Sequence, residues 1–460
     1  MNKHHSLNFF RNVDATELPG SAFPKTRLAV KLVTVAALSI APLHSALAAH
    51  WYVDGKNGSN SHNGSSSYPF LSVWRAWSAA ASGDTIHLKP TATYGYIYLS
   101  KKSGYAGKPI TIQGDSSTNR AKVSGKGSNY GIMVDGANYL VLKNLDITAP
   151  GAGTYAGWSG IYVKNAHHIQ ITDNVAYDSG CAGIQTQHSD HVTIERNHVY
   201  GNSKIVKNNI FCSGISMHWN KDFDSYTGTK MIIRNNIVHG NTNIKACSTC
   251  TNSDGSGIII DDSRRTQTDY KAYKGAHLIE NNVVFNNGGR GLHIYKSDRV
   301  AVRSNTFYHN NRDYAEGAWR PGEVSVIGSG GTHIHNNIFF STGSSGTDNT
   351  GAHVSISVQD SHTGGSHNID HNLNYNSKGL TSLQTYFRNN SVAINYGGNN
   401  RWGNPWFKSA TVDASVANFL PSSGSSAYNF NSPTWSFPAR DLHGIQRTAP
   451  VTAGAYQRAY

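Results

Sequence analysis

The sequence predicts an all-β, single-domain fold: a right-handed parallel β-helix with three short strands per coil and an N-terminal capping helix. Three observations carry this: a composition poor in helix formers, one phrase repeated along the chain, and a second phrase preceding it. The 460 residues include 46 Gly and 45 Asn but only 5 Glu. Glu favours helices, whereas Gly and Asn favour turns and positive φ, which excludes a helical bundle. At 15% charged residues the chain is not a charge-driven disordered one. Its length suggests two or three domains unless it is a repeat growing along one axis.

Residues 1–48 read as a secretory leader. Lys25, Arg27 and Lys31 precede the apolar run LVTVAALSIAPL, and Ala46-Leu47-Ala48 is an A-x-A cleavage pattern. The run is short and broken by Pro42, which argues against a transmembrane anchor. The expected mature chain starts near Ala49 or His50 and works outside the cytoplasm, extracellular or periplasmic, with no membrane contact. Residues 49–460 are then one domain, with an N-terminal cap over 49–100 and a C-terminal cap or loop region over 380–460.

The repeated phrase is ITDNVAY, IERNHVY, IRNNIVH, IENNVVF, VRSNTFY, IHNNIFF and IDHNLNY. Its aligned residues are Asn174, Asn197, Asn236, Asn282, Asn305, Asn337 and Asn372, separated by 23, 39, 46, 23, 32 and 35 positions. The shortest spacing marks a minimal coil, and the longer ones add loops. Alternating β-branched residues on either side of the Asn predict two strands joined at a tight bend. Stacked Asn side chains can bond the coils above and below, forming an internal ladder. The preceding phrase (SGIYV, AGIQT, SGISM, SGIII, RGLHI) is the first strand of each coil. At the start, Leu71, Val73, Trp74 and Trp77 fit one face of a helix able to plug the solenoid's open end.

Aligning Gly160, Gly183, Gly214, Gly257 and Gly291 predicts which side chains line up. Residues one and three later are apolar or Thr and should point inward. Those two and four later should point outward, and with the next position they place His188, His218, Trp219, Asp261, Asp262, His293, Tyr295 and Lys296 on one face. Arg290 opens one strand, Lys221 follows another, and Lys204, Lys207 and Lys245 lie in loops alongside. Aromatic platforms mixed with cations suit sugar rings that carry carboxylates. Cys181 and Cys212 each precede an aligned Gly by two residues, a spacing compatible with a disulfide between adjacent coils. Cys247 and Cys250 then pair within their loop or stay reduced; as a C-x-x-C they are half a zinc site whose second half is missing.

The formal net charge of +13 favours an anionic partner. No nucleic-acid recognition motif is present, and an acidic polysaccharide lying along the solenoid fits a secreted protein better. A monomer is expected.

SDGSGIIIDDSRRTQ (253–267) and LIENNVVFNNGGRGLHIYKSDRVAVRSNTFYHN (278–310) resemble secreted β-helix polysaccharide lyases of the pectate-lyase-like kind, most closely polysaccharide lyase family 31. The resemblance covers roughly residues 51–345, and the D-x-x-G-x-x-R and GAY phrases of 441–456 resemble the C-terminal ending of that group. It implies β-elimination in alginate, especially polymannuronate, or in glucuronan, by a Tyr–Lys pair without an obligatory metal. The loop NSKIVKNNIFC lacks the Tyr the family pattern places before SGISM, which leaves the base open.

Elimination needs a neutralised uronate carboxylate, a base for the C5 proton and an acid for the departing O4. The candidate base is His218, Lys207 or Lys245, and Tyr295 the acid. Arg290 and Lys296 are the candidate neutralising groups, with Trp219, Lys221, Asp261 and His293 as further substrate contacts. No cofactor is then required. The alternatives are a pectate-type lyase holding Ca2+ on Asp261 and Asp262 near Asp254, a glycoside hydrolase on the same scaffold, and a non-catalytic polysaccharide-binding adhesin.

Overall fold

In the computed structural model, residues 47–127, 130–151, 158–204, 212–242, 254–266, 271–313, 321–342, 353–430, 432 and 434–457 are described. Their strands form three long parallel sheets of 12, 11 and 10 strands, called here the first, second and third sheets. One coil shows the plan: Ile215–His218 in the third sheet, Thr229–Arg234 in the first and Ile237–His239 in the second. This is the all-β right-handed parallel β-helix that the repeat predicts.

The bend between the first and second sheets explains the repeated phrase. The residue before each ladder Asn is left-handed, as at Arg196 (φ 52°), Asn235 (φ 56°) and Asn281 (φ 53°), which turns the chain sharply. The Asn that follows points inward. Asn197 Oδ1 accepts from Asn174 N and Nδ2, and Asn236 Oδ1 accepts from Asn197 N and Nδ2. The pattern continues through Asn282, Asn305, Asn337 and Asn372 to Asn400, one coil beyond the seven repeats.

A second ladder at the next bend was not anticipated. Asn202, Asn241, Asn287 and Asn310 bond one another in the same way, and Glu323 terminates the column by accepting from Asn310 N. Burial pushes the Glu323 carboxyl up to about 8. This ladder also explains the aligned glycines. A Cβ on Gly214 would lie 2.5 Å from Asn241 Nδ2, and one on Gly291 2.8 Å from Asn310 Nδ2.

Between the sheets the core stacks like on like. Ile161, Ile184, Ile215, Ile258 and Leu292 are fully buried in one inner column, as are Val163, Met217, Ile260 and Ile294 in another. Each such side chain contributes roughly 1.5–3 kcal/mol of burial. Thr186 is buried among them, so the inward set is as expected.

The capping helix, α1 (Val73–Ala79), begins at Ser72, whose Oγ accepts from Arg75 N. It buries Val73, Ala76 and Trp77. Leu71 and Trp74, expected on that face, are instead exposed, because Leu71 precedes the helix and Trp74 projects on its other side. Residues 385–402 add a further coil. The chain then lies against the outer face of the second sheet, where Phe407, Phe419, Ala453, Ala455 and Tyr456 cover Val283, Phe285 and Tyr308. Arg447 ties this tail down by donating to Thr452 O, Gly454 O and Asn281 Oδ1. Ala48–Tyr460 forms one compact unit.

Candidate active site on the third sheet

Strand pairing places one outward column across the third sheet: Lys164, Gln187, His218, Asp261, Tyr295 and Ile327 on successive strands. A parallel column holds Tyr162, Gln185, Ser216, Ile259, His293 and Ser325. The register read from the glycines is therefore the observed one. The second column differs from expectation in burial: Ser216, Ile259 and His293 are covered rather than wet.

His188, Trp219, Asp262 and Lys296 follow the first column at the bend, all with φ between 42° and 49°. That conformation lets consecutive residues point to unrelated places. Asp261 ends its strand on the outer face, 3.7 Å from His218 Nε2. Asp262 turns inward and is fully buried, accepting from Trp219 Nε1 (3.1 Å), Thr266 N (2.8 Å) and Thr266 Oγ1 (2.9 Å). Both its oxygens are engaged in holding the bend. Among the described residues Asp254, Asp261 and Asp262 do not form a three-ligand cluster of the kind a calcium site would use.

Trp219 stacks against His188 and leans on His218, with ring centres 5.8 and 4.1 Å apart. Lys296 Nζ sits 5.1 Å from the Tyr295 ring centre. Lys221 is exposed just past the bend, and its charge reaches His188. Arg290 is buried, and its charge acts on Asp254 and His293, so it belongs beneath the face rather than on it. Arg265, which the sequence reading did not single out, is buried behind Trp219 and donates to Trp219 O at 2.9 Å. Its signal was the paired Arg following the two Asp.

These surroundings move protons in a consistent direction. Burial, with the Asp254 and Asp262 charges, pushes the Asp261 carboxyl up to about 7. Burial raises Asp254 to about 6 against the pull of Arg290. Burial lowers His218 to about 4, and His293 also lies well below the usual imidazole range. Near neutrality the column therefore presents a neutral imidazole next to a carboxyl that readily holds its proton.

Cys181 and Cys212 form the disulfide expected between adjacent coils, with Cα atoms 5.1 Å apart. Lys207, Lys245, Cys247 and Cys250 lie outside the described residues.

The model of the family described as periplasmic copper-binding protein (NosD) matches residues 78–369, and the chain belongs to this family. Among solved structures it is similar to pectate lyase Pel9A, at 18% identity over 90% of this chain and 97% of that one, with a TM-score of 0.51. That likeness is one of fold. An alginate lyase from Paenibacillus sp. str. FPU-7 aligns at 18% identity over 71% and 95% of the two chains, TM-score 0.35. The Azotobacter vinelandii mannuronan C-5 epimerase AlgE4 A-module aligns at 13% over 70% and 91%, TM-score 0.33. No curated protein matches the sequence. The periplasmic family and the disulfide fit a secreted or periplasmic protein. No helix among the described residues is long and apolar enough to cross a membrane.

The family description names copper, which takes imidazole, thiolate and thioether ligands. Among the described residues one cluster, Asp190 and His191 of the first sheet with Asp224 of the loop before Thr229–Arg234, groups three metal-binding side chains. It already holds a cation: the buried Lys230 ammonium lies 2.8 Å from Asp190, 3.0 Å from Asp222 and 3.3 Å from Asp224. The two described cysteines are joined in the disulfide, and Met217 and Met231 are sealed in the core, whereas Met133 is half-buried on the outer face of the third sheet. With two carboxylates and a resident ammonium, the Asp190, His191 and Asp224 cluster does not fit copper.

Proposed function

We propose that the chain is a secreted polysaccharide lyase that cleaves a β-1,4-linked uronate polymer, polymannuronate or glucuronan, by β-elimination. The observation that carries this reading is the single outward column His218, Asp261, Tyr295 with Lys296 beside it. It supplies a base, a proton donor and a cation on neighbouring strands of one sheet face.

In β-linked mannuronate and glucuronate, H5 and O4 lie on the same side of the ring, so one groove wall serves both. Lys296 neutralises the uronate carboxylate, which acidifies C5–H. His218, held neutral by burial, takes that proton. The C–H electron pair becomes the C4=C5 double bond, the C4–O4 bond breaks, and the Tyr295 hydroxyl protonates O4. Protonated Asp261 donates to the same carboxylate instead of repelling it. Arg290 holds Asp254 from below. Trp219 offers a platform for a neighbouring sugar. No metal is required by these roles. The leader 1–48 is removed, and the mature chain acts as a monomer.

A second reading is favoured by Asp254 and Asp261, two carboxyls raised by burial, the charge of Asp254 acting on Asp261. A glycoside hydrolase would use such a pair. Formation of an ultraviolet-absorbing unsaturated uronate tests the first reading, and new reducing ends without that absorbance would support the second.

A further inference from the structure

The third sheet does not stop at the candidate column. Its N-terminal edge strand is Ile97–Ser100, and α1 is pinned beside it. Trp77 Nε1 donates to Ser100 O at 3.2 Å, and Lys102 Nζ donates to Trp77 O, Ser78 O and Ala80 O at 2.8, 2.8 and 2.6 Å. Between helix and strand lies a cleft of about 600 Å³ lined by Trp74, Tyr96, Tyr98 and Lys101 among others, with no carboxylate among its lining residues.

Trp74 is 72% exposed, Tyr98 47% and Tyr96 41%. Sealing the solenoid end does not account for them. Trp77, one turn from Trp74, is buried and does that work, and Tyr96 and Tyr98 stack on each other with ring centres 6.2 Å apart on the outside. Three wet aromatic rings around one concavity mark a binding surface.

Register joins this cleft to the site. Tyr98 pairs with Met133, which pairs with Tyr162, then Gln185, Ser216, Ile259 and His293. Ser100 likewise heads the column that leads to His218, Asp261 and Tyr295. Four strand steps separate the Tyr98 strand from the His218 strand, roughly 19 Å. Between them half-buried Tyr130 stacks on buried Tyr162.

We propose that this cleft is a distal glycan subsite, binding sugar units of the same acidic polysaccharide chain whose reactive bond lies at His218 and Tyr295. The inference rests on the elimination reading of the third sheet. Pyranose rings offer apolar C–H faces to Trp74, Tyr96 and Tyr98, and exposed Lys101 meets a uronate carboxylate. A second copy of this chain is a poor occupant, because the chain carries a net charge of +13 and the cleft has no carboxylate to receive it.

The test uses polymannuronate and a mannuronate trisaccharide too short to span from the site to the cleft. Trp74→Ala/Tyr98→Ala should lower polymer affinity, measured by titration calorimetry, and the kcat/KM preference for polymer over trisaccharide, each by about tenfold or more. Lys101→Glu should weaken polymer binding at low salt, and the difference should vanish near ~1 M salt. Both sets alter exposed side chains, and an unchanged unfolding transition verifies the fold. Wild-type affinity and polymer preference in both variants would overturn the subsite while leaving elimination intact. Loss of polymer affinity in the variants of a protein that forms no unsaturated product would support the subsite and overturn elimination. No polymer binding by the wild-type chain would overturn the subsite.

Discussion

His218 Nε2 lies 3.7 Å from the Asp261 carboxylate on the adjoining strand. If both were charged they would be an ion pair. Burial instead drives each toward its neutral form, His218 to about 4 and Asp261 to about 7. A groove for a polyanion gains from this, since an ionised Asp261 would repel the substrate.

The first prediction is a pH window. The proposed elimination needs His218 unprotonated and Asp261 protonated, so kcat/KM should be highest between about 4 and about 7 and fall as Asp261 ionises above that. Asp261→Asn should keep activity at higher pH. Stability follows the same sign. A carboxyl raised in the folded state stabilises the fold at low pH, and that contribution is lost as pH rises from the ordinary carboxylate range through about 7. Because His218, lowered to about 4, adds stability over the same range, the Asp261 contribution is read as a difference: the denaturant midpoint of the wild type relative to Asp261→Asn should fall as pH rises through about 7.

Replacement of the proton-transfer groups should be costly for turnover alone. His218→Ala and Tyr295→Phe should each lose about 10²–10⁴-fold in kcat while unfolding normally. Lys296→Ala should also impair kcat, because its interaction strengthens as charge develops on the carboxylate. Full activity in all three would move the chemistry elsewhere on the solenoid.

The internal ladder should be intolerant of truncation. Asn236 is fully buried, accepts from Asn197 N and Nδ2, and donates to Ile194 O and Asn282 Oδ1. Asn236→Ala strands several of these groups, at about 1–3 kcal/mol each, so chemical denaturation should show a loss of about 3 kcal/mol or more.

Reducing the disulfide should loosen the coils beneath the site. Cys181 and Cys212 are 31 residues apart, and closing a loop of that size is worth about 4 kcal/mol in the chain-entropy account. Cys181→Ser/Cys212→Ser should show that deficit in urea.

Much of this fold was legible because a solenoid writes its contacts into the sequence. Asn197 and Asn236 touch, and each sits in the same phrase. The register of His218, Asp261 and Tyr295 followed from Gly214, Gly257 and Gly291 for the same reason. The second ladder was legible too, in the residue that follows Gly201, Gly240, Asn286 and His309, but its period was masked by the more conspicuous first phrase. What the repeat does not encode is where a side chain goes once the strand ends. Asp262, with φ 42°, turns into the bend to meet Trp219 and Thr266, and no alternation rule anticipates that. Trp74 failed for a related reason: helical spacing groups it with Trp77, but the solenoid end covers only part of the helix surface.

The central claim is that the groove at His218, Asp261 and Tyr295 eliminates across a uronate linkage. Incubating the protein with polymannuronate, glucuronan, polyguluronate, polygalacturonate and hyaluronan, and following ultraviolet absorbance, tests it most directly. Absorbance should rise on polymannuronate or glucuronan and vanish in Tyr295→Phe. Cleavage confined to neutral glycans, or product that appears without any rise in absorbance, would contradict it.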